Sequence, residues 1–231
     1  LAQTSKSNGM RIKKADYHHG DLRRALVQTA LKVIDQRGVD ALTLKDLAVR
    51  TGVSPGAPYH HFADRSELLA AIAQEGFELL ASAMRHASEA AVQTPAANLQ
   101  ALGCAYIMFA VSHRGHFKVM FRGDLHGKEN AARAQAGERA FQLLCDAVQA
   151  CQKAGAVPKG NPEPWVLHAW ATVHGLSTLL VDGSLKKTTI PADQLPQLIT
   201  SLGTQMFRAL AAESESKTRA TRATPPTEKL S

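Results

Sequence analysis

From position 54 to position 61 the chain reads Ser-Pro-Gly-Ala-Pro-Tyr-His-His, and these side chains suit one kind of chemistry. Ser54, Gly56 and Ala57 are small enough for the backbone to approach a groove, while Tyr59, His60 and His61 offer donors at the height of phosphates. Arg65 follows in the first turn of the next helical run, where it opposes that helix's own dipole. A phosphate near that N-terminus would give the arginine a reason to be there.

Other chemistry is poorly served. His113-Arg114-Gly115-His116 has an H-x-x-H spacing, but its glycine falls at a break between helical runs, and no Glu is followed three residues later by His. The adjacent pairs His18-His19 and His60-His61 cannot share one helix face, so chelation within a pair is not expected. A Gly-rich phosphate loop, a G-x-S-x-G elbow and an H-E-x-x-H motif are all missing. The expectation is no catalytic site, no metal and no cofactor. Cys104, Cys145 and Cys151 show no C-x-x-C spacing and leave an odd thiol, which fits a reducing, cytoplasmic compartment better than a disulfide framework.

The elements that position the 54–61 segment are helical. Leu22, Leu26, Ala30, Val33 and Ile34 recur at helical spacing from Asp21, and Gly38 supplies the stop. Thr43 with Asp46 three residues on caps a second short helix carrying Leu44, Leu47 and Ala48 inward until Gly52 ends it. Ser54-Pro55 then reads as the cap and first residue of a third helix, with Pro58 forcing a tight, partly 3₁₀ first turn. Two short helices around Leu47-Ala48 and Thr51-Gly52-Val53-Ser54 make a helix-turn-helix: Ala48 permits close approach and Gly52 the left-handed turn residue. Asp64 with Glu67 opens a long helix to about Ser88, followed by a break at Pro95. Further apolar helical runs lie at about 97–112, 115–122, 127–154, 163–182 and 192–212. Nowhere do apolar and polar residues alternate for six positions, so the chain is expected to be all-α.

With 231 residues, 45% hydrophobic and 20% charged, the chain has the composition of a globular protein and excludes wholesale disorder. Its formal charge of +7 is lopsided: residues 1–66 hold 11 basic and 6 acidic side chains. A polyanionic partner is expected at that end. Leu1 to Lys14 is polar and basic, an arm and not a secretory signal. Pro164–Val181 lacks Asp, Glu, Lys and Arg over 18 residues but holds His168, Thr172 and His174, and so reads as a buried helix with no membrane span.

Residues 18–80 resemble the DNA-binding domain of the TetR family of bacterial transcriptional regulators. The resemblance rests on Thr43-Leu44-Lys45-Asp46-Leu47-Ala48, on Gly52-Val53-Ser54-Pro55-Gly56-Ala57-Pro58-Tyr59-His60-His61-Phe62, and on Ala63-Asp64-Arg65-Ser66-Glu67-Leu68. It implies phosphate contacts at Thr43, Tyr59, His61 and Arg65 and groove contacts at Ser54, Gly56, Ala57 and His60, with Lys45 completing the candidate set. Pro58 stands where many members carry Leu or Ile. The arm with Arg11, Lys13 and Lys14 would reach an adjacent groove or backbone. Trp170-Ala171-Thr172-Val173-His174-Gly175-Leu176 resembles the Trp-His-Gly signature of one subgroup of the family's regulatory domains, and Tyr17-His18-His19-Gly20-Asp21-Leu22 a lead-in common there.

The resemblance implies an N-terminal three-helix helix-turn-helix domain joined by a long helix to a C-terminal helical ligand-binding and dimerisation domain. The expected division is a basic arm at 1–17, the helix-turn-helix domain at 18–66, the regulatory and dimerisation domain at 67–212 and a disordered tail at 213–231. It implies a homodimer through helices near 163–182 and 192–212, and the apolar stripe Leu195, Leu198, Ile199, Leu202, Met206, Phe207 and Leu210 agrees with that. A small, largely apolar effector is expected in a pocket lined by Tyr106, Phe109, Phe117, Met120, Phe121, Trp165 and His168. The expected activity is that of a repressor released by this effector from a palindromic double-stranded DNA operator. The rivals are an all-α carrier or enzyme with an incidental basic N-terminus and an architectural DNA binder without sequence preference.

Overall fold

In a computed structural model, which describes residues 19–125 and 130–187 and scattered positions from 191 to 205, every regular element is a helix. The basic arm, the tail from 213 and most of the 192–212 stripe lie outside the described residues. Seven α-helices run in order: α1 (His19–Arg37), α2 (Leu44–Thr51), α3 (Arg65–Ala90), α4 (Pro95–Ser112), α5 (Arg114–Met120), α6 (Ala131–Lys153) and α7 (Glu163–Val181).

Cap residues explain most of these boundaries. Thr43 Oγ1 accepts the Asp46 N–H at 3.1 Å to start α2, and Asp64 Oδ1 accepts the Glu67 N–H at 2.9 Å to start α3. Each such bond stabilises a helix by about 1 kcal/mol. Glu67 reaches back to the Ala63 N–H at 2.6 Å, and hydrogen bonds from Ser66 and Glu67 hold the Asp64 carboxyl below its usual range. Pro95 is not the break that its sequence context suggests. It is the first residue of α4, capped by Thr94, because a proline at that position forfeits no helical hydrogen bond.

Two apolar cores share α3. Leu26 and Ile34 of α1, Leu47 of α2, Phe62, and Leu68, Leu69 and Ile72 of α3 form the first. The second gathers Phe77, Leu80 and Met84 farther along α3 with residues of α4, α5, α6 and α7. Helix α5 belongs to both, contributing Val119 to the first and Phe117 and Met120 to the second. It fits there because of two glycines. A Cβ on Gly76 would stand 2.6 Å from Met120 Sδ, and one on Gly115 would stand 3.1 Å from Leu31 Cδ2 and 3.3 Å from Asp35 Oδ1.

Candidate functional site

The segment after α2 departs from the third helix expected at Ser54-Pro55. It is a turn followed by a 3₁₀ segment, Ala57–His60. The physical cause is Pro58: lacking an N–H, it cannot bond the Ser54 carbonyl as an α-helix requires. That carbonyl accepts from Ala57 at 3.0 Å instead, Gly56 accepts from Tyr59 at 3.1 Å, and Pro58 accepts from both His61 and Phe62 at 3.0 Å. Pro58 is buried and Phe62 fully so, with the Arg23 guanidinium 5.1 Å from the Phe62 ring centre. These two residues hold the turn against the first core, leaving Ser54, Gly56, Tyr59 and His60 exposed along its outside. Gly52, at φ 74 and ψ 29, makes the preceding left-handed turn and donates its N–H to α2 carbonyls.

Thr43 and Lys45 are exposed at the start of α2, while Ala57 and His61 are half-buried. Arg65 is more constrained than an open cation: its Nη2 donates to the Val39 carbonyl at 2.9 Å and lies 3.9 Å from Asp40, at 37% side-chain exposure. It fastens the start of α3 to the loop after α1, at the edge of the same face.

Within the second core, helices α3, α4, α6 and α7 enclose a void of about 270 Å³. Phe77, Leu80 and Met84 line it from α3, Leu99, Leu102 and Tyr106 from α4, Gly137, Phe141 and Leu144 from α6, and Ala169, Trp170 and Val173 from α7. Phe121 closes one end. Ring centres stand 5.3 Å apart for Phe77 and Phe121, 6.3 Å for Phe121 and Trp170, and 5.7 Å for Trp170 and Phe141, so the aromatic wall is continuous. Behind it the Tyr106 hydroxyl and His174 Nδ1 are 2.8 Å apart. Burial lowers the histidine's pKa and raises the tyrosine's, so two neutral side chains share this hydrogen bond.

Helix α5 connects this core to α1. Arg114, its first residue, donates from Nη2 to the carbonyls of Leu180 at 2.8 Å and Val181 at 3.2 Å, the C-terminal end of α7. Gly115, the next, abuts Leu31 and Asp35 of α1. His116 is buried with Nε2 3.6 Å from Glu75 Oε1 on α3.

Comparison with known proteins agrees with this geometry. Residues 26–72 match the model of the bacterial regulatory proteins of the tetR family, and residues 99–202 match the tetracyclin repressor-like C-terminal domain. The chain belongs to the TetR family. It is 35% identical over 86 residues to the HTH-type transcriptional regulator BetI of Burkholderia lata, an alignment covering 37% of this chain and 44% of that protein. The chain thus spans less than half the length of that curated relative. A structure of a protein of unknown function from Rhodococcus sp. RHA1 is 35% identical, with a TM-score of 0.73, over 86% of this chain and all of the other. The TetR family transcriptional regulator PfmR from Thermus thermophilus shares the fold at 18% identity and a TM-score of 0.63, over 79% of this chain and 94% of its own.

In this TetR-family chain the cavity lies in the core that holds most of the residues expected to line one, but with a partly different lining. Of the seven residues expected to line it, Tyr106 and Phe121 do. Phe109, Phe117 and Met120 are buried packing residues, Phe109 stacking on His113 with ring centres 4.8 Å apart. Trp165 packs against the edge of the core and His168 faces solvent, one turn before the α7 residues that do face inward. Phe77, Phe141 and Trp170 were missed. Their signal is a shared helix face: Gly137, Phe141 and Leu144 recur at i, i+4 and i+7, with a glycine leaving space beside the Phe77 ring. A Cβ on Gly175 would meet no heavy atom within 4 Å among the described residues. Among the described residues no group of three or more His, Cys, Asp or Glu is placed to hold a metal, and no helix is long and apolar enough to cross a membrane. The three thiols are free, and burial raises their pKa values, that of Cys151 to about 11.

Proposed function

We propose that the chain is a sequence-specific DNA-binding transcriptional regulator, a repressor released from a palindromic operator when a small, largely apolar effector fills the cavity. The observation that carries this is the pairing of an exposed turn of small and hydrogen-bonding residues, anchored on one core, with an aromatic-lined cavity in the other. Ser54, Gly56, Ala57 and His60 face the major groove, and Thr43, Lys45, Tyr59, His61 and Arg65 hold phosphates. Residues 18–66 form the reading head and 67–212 the regulatory domain.

The operator is read by a homodimer. On α7, Leu167 and Leu179 are 59% and 45% exposed, with exposed Ala171 and Gly175 between them at intervals of four. One helix face thus offers an apolar stripe with a glycine at its centre, suited to the same helix of a second copy. Release runs through α5. An occupant that spreads α4 and α7 pulls on Arg114, and Gly115 passes the shift to α1, changing the separation of the two heads.

Salt titration tests this against the architectural alternative. As salt rises, random duplex should be released first, while duplexes enriched by the protein itself stay bound. Parallel loss of both would contradict sequence-specific regulation and leave a carrier or a DNA-coating protein.

A further inference from the structure

Resting on the effector reading of the cavity above, we propose that its occupant is a lipophilic cation, an organic ammonium or similarly delocalised positive ion, and that Glu138 selects its charge. The cavity sets the size: by scaling from a cavity of about 150 Å³ that takes one benzene ring, this one holds roughly eleven non-hydrogen atoms. Its walls set the sign. Phe77, Tyr106, Phe121, Phe141 and Trp170 bound it with rings, whose faces carry the negative end of the aromatic quadrupole. Among the described lining residues Glu138 is the charged one, and none is Lys, Arg or His.

Glu138 sits on α6 one residue from Gly137 and three from Phe141, exposed at the rim of the cavity. It has no ion pair or hydrogen-bond partner among the described residues, whereas its neighbour Arg139 reaches Glu78 at 4.0 Å. Its carboxylate, held by no protein group among the described residues, is free to meet a cation at the rim. A carboxylate or phosphate in the same space would lose its hydration against rings and aliphatic carbons with no cation among the described lining residues to meet it. His174, the nearest titratable ring behind Tyr106, is kept neutral by burial and offers no countercharge.

Calorimetric titration of the full chain with three probes of equal non-hydrogen atom number separates the cases: benzyltrimethylammonium, its neutral isostere neopentylbenzene, and 3-phenylpropanoate. The cation should bind about tenfold more tightly than the neutral isostere, with the anion weakest. Glu138→Gln should shrink the cation-to-neutral ratio severalfold, and Glu138→Lys should reverse the order of cation and anion. Equal binding of cation and neutral probe, or a ratio untouched by Glu138→Gln, overturns the charge assignment while leaving the cavity as the effector site. No heat with any probe overturns both.

Discussion

Tyr59 leaves 55% of its surface in water while Pro58 and Phe62 on either side are buried, so its hydroxyl is available to a partner and is not needed by the fold. Tyr59→Phe should weaken binding to any duplex by up to about 1.5 kcal/mol, through one lost phosphate bond, and leave the melting temperature unchanged. Fluorescence anisotropy with two unrelated duplexes checks this; an unchanged affinity would remove Tyr59 from the interface. At this scale the exposed chemistry of the 54–61 turn was legible, because exposed residues keep their chemistry whatever lies behind them. The cavity was not. Phe117 and Phe121 lie four apart, yet Phe121 borders the void and Phe117 fills the core. That difference is set by how α5 rotates against α3, where Gly76 lets Met120 approach, and no periodicity in α5 alone reports it.

Helix α5 carries the junction between head and regulatory domain, and His116 makes that junction sensitive to acid. Burial, with a smaller push from His113, lowers the His116 pKa, against the raising effect of Glu75 and Asp35. The folded chain thus holds the ring neutral at pH values where the unfolded chain, near the ordinary 6.5, takes up a proton. Stability is complete above that pH and drains as pH falls toward the lowered native value, and His174 adds to the same trend. The melting temperature should fall between about pH 7 and pH 5.5, above the main carboxylate range, and His116→Gln should flatten the fall. A melting temperature constant over that interval would show that the ring is free to charge in place. Element boundaries followed the caps Thr43 and Asp64 closely, since a cap is a local hydrogen bond written in adjacent residues, whereas the Thr94 cap was hidden by the proline that follows it. In the third element Pro58 produces the expected 3₁₀ turn, which starts at Ala57 and not at Pro55 and extends over the whole of Ala57–His60.

At the scale of the whole molecule, the two-core arrangement along α3 was visible in the sequence as a long run opened by Asp64. The exposed apolar face of α7 was visible only in part: Leu167 and Leu179 stand out as exposed once α7 is packed, whereas the sequence shows an apolar run all round. Leu167→Glu with Leu179→Glu should convert a dimer to monomers in sedimentation velocity and weaken operator binding with it; a dimer that persists would move the interface elsewhere. Selection of bound duplexes from a random DNA pool by the purified chain, at near-physiological salt, is the most direct test of the regulator itself. A two-fold symmetric site should emerge, its half-sites spaced by about 10 base pairs or a multiple, as two reading heads on one side of the duplex require. Failure of a folded, dimeric protein to enrich any sequence would contradict it.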